Sequence, residues 1–199
     1  MIPNAFYDAS TALVVVDVQN DFADPAGSLA VRGGEEVPAF VNAELAAARP
    51  AGTLVVFTQD WHPAETPHFV TSGGIWPVHC VGGTWGAELH PALDAASSEP
   101  RIRKGTGGED GYSGFTMADP LTGEKASTGL EALVRQAGIR RVVVAGLATD
   151  YCVKATALDA VDLGFVTAVL RKGIRAVDLV PGDGDRAIAE MQAAGVRLA

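Results

Sequence analysis

Three stretches of the chain are apolar with no polar alternation: residues 11–18, residues 53–58, and the Val142-Val143-Val144-Ala145-Gly146 run. Such runs fit strands covered on both faces, as in parallel sheets. Residues 101–104 read as a short strand, residues 165–170 as a longer one, and residues 196–198 as a short final one. Between them lie helical spacings. Val37, Phe40, Val41, Leu45 and Ala48 mark a helix over residues 35–49, closed by Pro50-Ala51-Gly52. Residues 127–137 form a second helix with Gly138 as its C-cap. A third starts at about Asp150 and runs to about Leu163, with Thr149 and Asp150 as good N-cap residues, and residues 185–194 form a fourth. Residues 24–34 and 105–120 read as Gly-rich loops, and residues 171–184 as loop or broken helix. The alternation of strands and helices predicts an α/β protein: a doubly wound, mainly parallel sheet in a three-layer α-β-α arrangement. No repeat, low-complexity tract or linker divides the chain, so residues 1–199 are expected to form one domain.

Residues 59–104 break the pattern. They hold all four histidines, all three tryptophans and one of the two cysteines, among many Gly and Pro. A long irregular segment inside a compact chain is usually functional.

Composition narrows the partners. Lys and Arg number 15 against 24 Asp and Glu, a formal net charge of -9. That balance argues against a nucleic-acid groove or an anionic membrane surface as partner. It is compatible with a monomer or a homo-oligomer. The first apolar run is too short for a membrane span, and no basic segment precedes it as in a signal peptide. Two cysteines, Cys80 and Cys152, make no disulfide framework, so a cytoplasmic, reducing location is expected.

Candidate chemistry gathers at strand ends. Asp17, Lys104 and Cys152 each lie at or just beyond one, and in a parallel sheet those ends share an edge. Cys152 falls in the first turn of a helix, where free amide groups and the helix dipole favour a thiolate. An acid and a lysine would supply its base and counter-charge. Read from position alone, Asp17 also fits as a turn cap and Cys152 as a buried apolar residue. Asp60 and His62 alternate along an extended chain, so both side chains point the same way. With His79, and with His68, they make a donor set suited to Zn²⁺, Fe²⁺ or Mn²⁺. The competing reading is a group of polar loop histidines that only hydrogen-bond. Cys80 reads as a packed small residue, and His90, before Pro91, as structural.

Five motifs in order carry a resemblance: Asp17-Val18-Gln19-Asn20-Asp21-Phe22, Asp60-Trp61-His62-Pro63, Trp76-Pro77-Val78-His79-Cys80, Lys104-Gly105, and Gly146-Leu147-Ala148-Thr149-Asp150-Tyr151-Cys152-Val153. Together they resemble the nicotinamidases (pyrazinamidases) of the isochorismatase-like hydrolase superfamily, over nearly the whole chain. The resemblance implies hydrolysis of nicotinamide, and of pyrazinamide, to the acid and ammonia, as a step of NAD salvage. It implies Cys152 as nucleophile, Asp17 as general acid/base and Lys104 as third member of the triad. It also implies a cis peptide at Leu147–Ala148, and an oxyanion hole from the amides of Ala148 and Cys152. One divalent metal ion on Asp60, His62, His79 and His68, and aromatic pocket walls from Phe22, Trp76 and Tyr112, complete the set. The alternative within the superfamily is a sister cysteine amidohydrolase acting on another small amide. Such enzymes typically lack the metal cluster, so Asp60, His62 and His79 speak against it.

Overall fold

The computed structural model describes residues 6–199. Strand β1 (Thr11–Val16) is followed by the short helix α1 (Asn20–Ala23), helix α2 (Val37–Ala48), and strands β2 (Leu54–Asp60) and β3 (Arg101–Lys104). Strands β4 (Thr116–Ala118) and β5 (Lys125–Ser127) pair as a small antiparallel hairpin. Helix α3 (Leu130–Gln136), β6 (Arg141–Leu147), α4 (Lys154–Asp162), β7 (Val166–Arg175), α5 (Asp183–Ala193) and β8 (Arg197–Leu198) complete the chain.

Six strands form one parallel sheet in the order β3-β2-β1-β6-β7-β8. The chain winds outward from β1 to β3, then crosses back to the other side of β1. The point of reversal lies between β1 and β6, where the carboxyl ends of neighbouring strands part and leave a crevice.

The apolar runs have the predicted cause. Every residue of β1 is buried, and its side chains alternate between two cores. Leu13 and Val15 pack with Val37, Val41 and Leu45 of α2. Val14 and Val16 pack with Leu130 and Val134 of α3 and with Ala157 and Ala160 of α4. Met191 of α5 joins the second core, while Cys80, Ala87 and Leu93 of the irregular segment join the first. The three-layer, doubly wound arrangement read from the sequence is therefore what forms.

Several boundaries differ from expectation, each for a local reason. β1 stops at Val16, because Asp17 turns the chain with a φ of +49°. β2 instead continues to Asp60, paired along its end with β3 as far as Lys104. β7 runs five residues beyond Leu170, to Arg175. Val144 pairs with Val169 and Gly146 with Ile174, so a bulge of residues 170–173 faces Ala145 alone. The exposed Arg171 and Lys172 of that bulge made a strand look like a loop. The hairpin β4–β5 was not foreseen within its Gly-rich surroundings. It takes Ser127, so α3 starts only at Leu130, after Gly129 in the left-handed region.

At the crevice Gly146 of β6 lies against the backbone of β1. Val16 is registered with Gly146, whose φ is +124°. A Cβ on Gly146 would lie 2.0 Å from the Val16 carbonyl oxygen. Both the backbone conformation and the contact thus require glycine. Gly146→Ala is expected to lower unfolding stability by about 3 kcal/mol or more, as clashes at special backbone positions do. Urea melts of the two proteins would measure this, and equal midpoints would refute the close approach.

Candidate active site

Three strand ends deliver the first group. Asp17 follows β1, Lys104 ends β3, and Cys152 lies in the π-helical turn Thr149–Val153 between β6 and α4. All three are buried. Lys104 Nζ donates to Asp17 Oδ2 at 2.6 Å, and also to Asp60 Oδ1 and to the Gly111 carbonyl. It lies 3.7 Å from Cys152 Sγ. The other oxygen of Asp17 accepts from Thr58 Oγ1 at 2.5 Å. One donor atom from each of Asp17, Asp60 and Cys152 lies within 4.8 Å of the other two. The structure thus brings the sequence-predicted triad together, with Asp60 as its fourth neighbour.

The second group lies beside it. One ring nitrogen from each of His62, His68 and His79 falls within 4.8 Å of the others, all three rings being buried. Asp60 Oδ2 is 3.7 Å from His62 Nε2 and 3.9 Å from His79 Nε2. Asp60 therefore joins the two groups, one oxygen toward Lys104 and the other toward the imidazoles. Hydrogen bonds fix two of the rings. His79 Nδ1 meets the Pro77 carbonyl at 2.7 Å, and His68 Nδ1 meets Asp110 Oδ1 at 2.5 Å. A carbonyl and an ionised carboxylate only accept, so each Nδ1 carries its hydrogen and each Nε2 keeps a free lone pair. Neither ring nitrogen of His62 has a hydrogen-bond partner among the described residues. A buried orphan imidazole flanked by two imidazoles and a carboxylate is costly unless something electropositive satisfies it. The four residues fit a divalent cation.

A cavity separates Cys152 from the imidazoles and is walled by Phe22, Trp76, Tyr112, Ala148, Tyr151 and Val177. Trp76 Nε1 donates to Tyr112 Oη at 2.9 Å, and Trp76 meets Tyr151 edge-on at 4.8 Å between ring centroids. Phe22 lies 5.4 Å from the His79 ring. The three expected wall residues line this cavity, and Leu29, Tyr151 and Val177 are additions. Tyr151 is next to Cys152 in sequence, and that adjacency is the signal that marks it. Val177 carried none. The Leu147–Ala148 peptide is cis, as the resemblance implied. The Ala148 carbonyl accepts from Tyr151 and Val153 amides at 3.2 and 3.0 Å, which anchors the turn holding Cys152.

Asp150 behaves differently from expectation. Its carboxylate makes no cap at the start of the helix. It accepts instead from the Val177 and Asp178 amides at 3.0 and 2.9 Å, tying the 177–178 loop to the turn that holds Cys152. Gln19 also has a role that its motif did not reveal. Its amide donates to the Asp60 and Ala87 carbonyls, and its oxygen accepts from the Asp60 amide. Asp21 accepts from the Cys80 amide at 2.7 Å. This motif therefore fixes the end of β2 and the irregular segment against the end of β1. Cys80 is buried with Sγ toward the Gly86 carbonyl, and His90 faces Asp24 away from the cavity, in keeping with their structural readings.

Burial and charge set the proton affinities. Burial raises Asp17 to about 6, against the opposing pull of Lys104. Burial acts in the same sense on Asp60, but Lys104 and then His62 and His79 outweigh it and hold that carboxyl well below the usual range. For Lys104, burial disfavours the charge, and Asp17 and Asp60 more than restore it, so the ammonium persists. Cys152 corrects the sequence reading. Burial pushes its thiol well up, and Asp17 and Asp60 add to this against Lys104. Burial and the two carboxylates thus favour a thiol beside the Asp17 carboxylate. Burial also lowers His79 to about 4 and lowers His68, which keeps both imidazoles neutral and able to ligate.

Comparison with known proteins agrees with this geometry. A family profile described as the isochorismatase domain matches residues 11–199. The nicotinamidase/pyrazinamidase of Mycobacterium tuberculosis is 42% identical over 196 residues, covering 94% of this chain and 97% of that protein. The structure of PnC1 from L. infantum in complex with nicotinate superposes with a TM-score of 0.87 at 40% identity, covering 97% of this chain and 94% of that one. The structure of the pyrazinamidase of Pyrococcus horikoshii in complex with zinc gives 0.84 at 37% identity, covering 96% and 98%. The chain belongs to the isochorismatase family.

Proposed function

We propose that the chain is a metal-dependent nicotinamidase, hydrolysing nicotinamide to nicotinate and ammonia and acting on pyrazinamide as well. One observation carries the reading: Cys152 of the thiol–carboxylate–ammonium group and Asp60, His68 and His79 of the Asp/His₃ group line a single aromatic-walled cavity. A flat heteroaromatic amide is the substrate that needs both sides. The names of the relatives support the same reaction.

Asp60, His62, His68 and His79 are the residues that would hold a divalent ion, and Zn²⁺, Fe²⁺ and Mn²⁺ all suit such donors. A bound ion supplies a Lewis-acid anchor for a ring nitrogen, which orients the carboxamide. The chain's own residues carry the chemistry. Asp17 takes the proton of the Cys152 thiol as Sγ attacks the carboxamide carbon. The Ala148 and Cys152 amides stabilise the developing oxyanion, where one such donor is typically worth about 10²–10³ in rate. Asp17 then gives its proton to the amine, the carbon–nitrogen bond breaks, and ammonia leaves a thioester. Asp17 next draws a proton from water, whose oxygen attacks the thioester carbon; the carbon–sulfur bond then breaks, Asp17 returns the proton to Sγ, and the free acid leaves. Lys104 stays protonated throughout, holding Asp17 in place and offsetting the negative charge that builds beside it. Phe22, Trp76 and Tyr112 enclose the ring. A reducing, cytoplasmic setting suits the free thiol. Among the described residues, no helix is long and apolar enough to cross a membrane.

The direct test is ammonia release from nicotinamide. Cys152→Ala is expected to reduce kcat by at least about 10³-fold, as removal of a nucleophile does. Stripping with a chelator is expected to abolish most of the activity until Zn²⁺, Fe²⁺ or Mn²⁺ is restored. Release that ignores chelation would instead place the enzyme among amidohydrolases that need no metal.

The acidity of Asp17 gives a second expectation. Asp17 must be ionised to accept the thiol proton, and its pKa is about 6. As pH falls through that value the competent fraction shrinks, by about tenfold per unit once well below it. A profile of kcat/KM for the metal-loaded enzyme should bend downward near there on the acid side. A profile flat to well below pH 6 would remove Asp17 from the role of acceptor.

A further inference from the structure

The Gly-rich loop of residues 105–112 follows Lys104 and leads toward the hairpin β4–β5. It touches both groups of the site without belonging to either. Gly105 packs under His62, where a Cβ would sit 2.6 Å from the ring. The Gly111 carbonyl accepts from Lys104 Nζ. Between them, Asp110 Oδ1 meets His68 Nδ1 at 2.5 Å. The loop is itself held in place. Asp110 and Ala118 exchange backbone hydrogen bonds of 2.7 and 3.1 Å, so β4 fixes the height of Asp110. On the other side, Thr66 Oγ1 donates to the Gly108 carbonyl at 3.0 Å and accepts from the His68 amide at 3.2 Å. The segment carrying His68 and the loop carrying Asp110 are thus tied twice, once through the backbone beside each residue and once through the side chains.

We propose that Asp110 is the positioning residue of His68. It keeps the hydrogen of the ring on Nδ1, turns Nε2 toward His62, His79 and Asp60, and raises the basicity of that nitrogen. A histidine in an irregular segment has no regular secondary structure to fix its rotamer, and an imidazole has two tautomers of similar energy. A carboxylate on Nδ1 selects both the tautomer and the ring orientation in one contact. Asp110 itself does not enter the cluster, because its oxygen is engaged on the far nitrogen. The other ordered histidine, His79, receives the same service from the Pro77 carbonyl, a backbone group that no substitution removes. Asp110 is therefore the side chain through which the donor set can be loosened without deleting a ligand.

The inference rests on the metal reading above, and the experiment separates the two. Zn²⁺ affinity is measured by chelator competition for the wild type, Asp110→Ala and Asp110→Asn, and the His68 tautomer is read by ¹⁵N NMR in metal-free protein at pH 7.5. Asp110→Ala is expected to weaken Zn²⁺ binding about 10–100-fold, the usual cost of losing such a partner. Asp110→Asn, whose amide oxygen still accepts from Nδ1–H, is expected to stay within about threefold of wild type. Wild-type His68 should appear as the Nδ1–H tautomer, and Asp110→Ala should show a mixture. Unchanged Zn²⁺ affinity in Asp110→Ala, or an Asn variant as weak as the Ala variant, would overturn the proposal. So would a wild-type His68 protonated on Nε2, a readout that needs no variant to fold. A wild type that binds no Zn²⁺, Fe²⁺ or Mn²⁺ would sink the metal reading, while the tautomer still decides whether Asp110 orients His68.

Discussion

The site is built around one buried ammonium. Lys104 brings a positive charge to a place with no exposed surface, between the carboxylates of Asp17 and Asp60 and under the Gly111 carbonyl. None of the three charges is tolerable there alone. Removing one partner from such a buried set typically costs about 3–5 kcal/mol, because the others are left uncompensated. The arrangement also separates the two acids, which share the same cation but not the same second neighbour. Asp60 faces imidazoles and is held ionised, whereas Asp17 faces a neutral thiol and is held near the point where it gives and takes a proton. Two carboxyl groups with opposite tendencies a few ångströms apart are what acid–base chemistry at neutral pH requires.

That ammonium is positioned by sheet topology. β3 pairs with β2 so that Lys104 lies opposite Asp60, and β2 pairs with β1, which ends one residue before Asp17. Across the crevice, β6 delivers the turn with Cys152 at the same level. Glycine at 146 lets β1 and β6 close up, and the left-handed turn at Asp17 swings the carboxylate inward. Four adjacent parallel strands therefore gather four charged or reactive groups around Lys104, the other three lying within 4.8 Å of one another, although the residues span most of the chain.

Much of this was legible from the sequence. Unbroken apolar runs identified β1, β2 and β6, since strands buried on both faces have no polar side to confuse the pattern. β3 was found over its full extent, because Arg101 to Lys104 is bounded by Pro100 and Gly105. What was missed follows from the same physics. β4 and β5 are three residues each, and none is buried, so they leave no hydrophobic signature. The far end of β7 bulges toward solvent and reads as polar. At the site, the two clusters of His, Asp, Lys and Cys were legible because such residues are rare at strand ends, whereas their supports were not. Gln19, Asp110 and Asp150 are ordinary polar residues in loops or turns, and their roles depend on partners between 27 and 68 positions away. The thiolate expected at Cys152 failed for a related reason. Helix position is visible in a sequence, but the desolvation and the two carboxylates that raise the thiol are tertiary facts.

The long irregular segment between β2 and β3 follows from the needs of the imidazoles. A crossover between parallel strands normally carries a helix, which would cover the sheet but point its side chains outward or into the core. Here three imidazoles and an indole must converge on one point beyond the strand ends. The backbone satisfies itself by other means: isolated pairings of His62 with Val81, Phe69 with Trp76 and Gln19 with Leu89 replace helical bonds. Each of these pairings involves a site residue, its immediate neighbour, or the glutamine that holds Asp60. Cys80, Ala87 and Leu93 from the same segment still fill the core that a helix would have filled. The segment thus does the packing work of a helix while leaving His62, His68 and His79 free to face inward together. Their geometry then depends on side-chain and carbonyl contacts rather than on a regular backbone, which is why such contacts are found on two of the three rings.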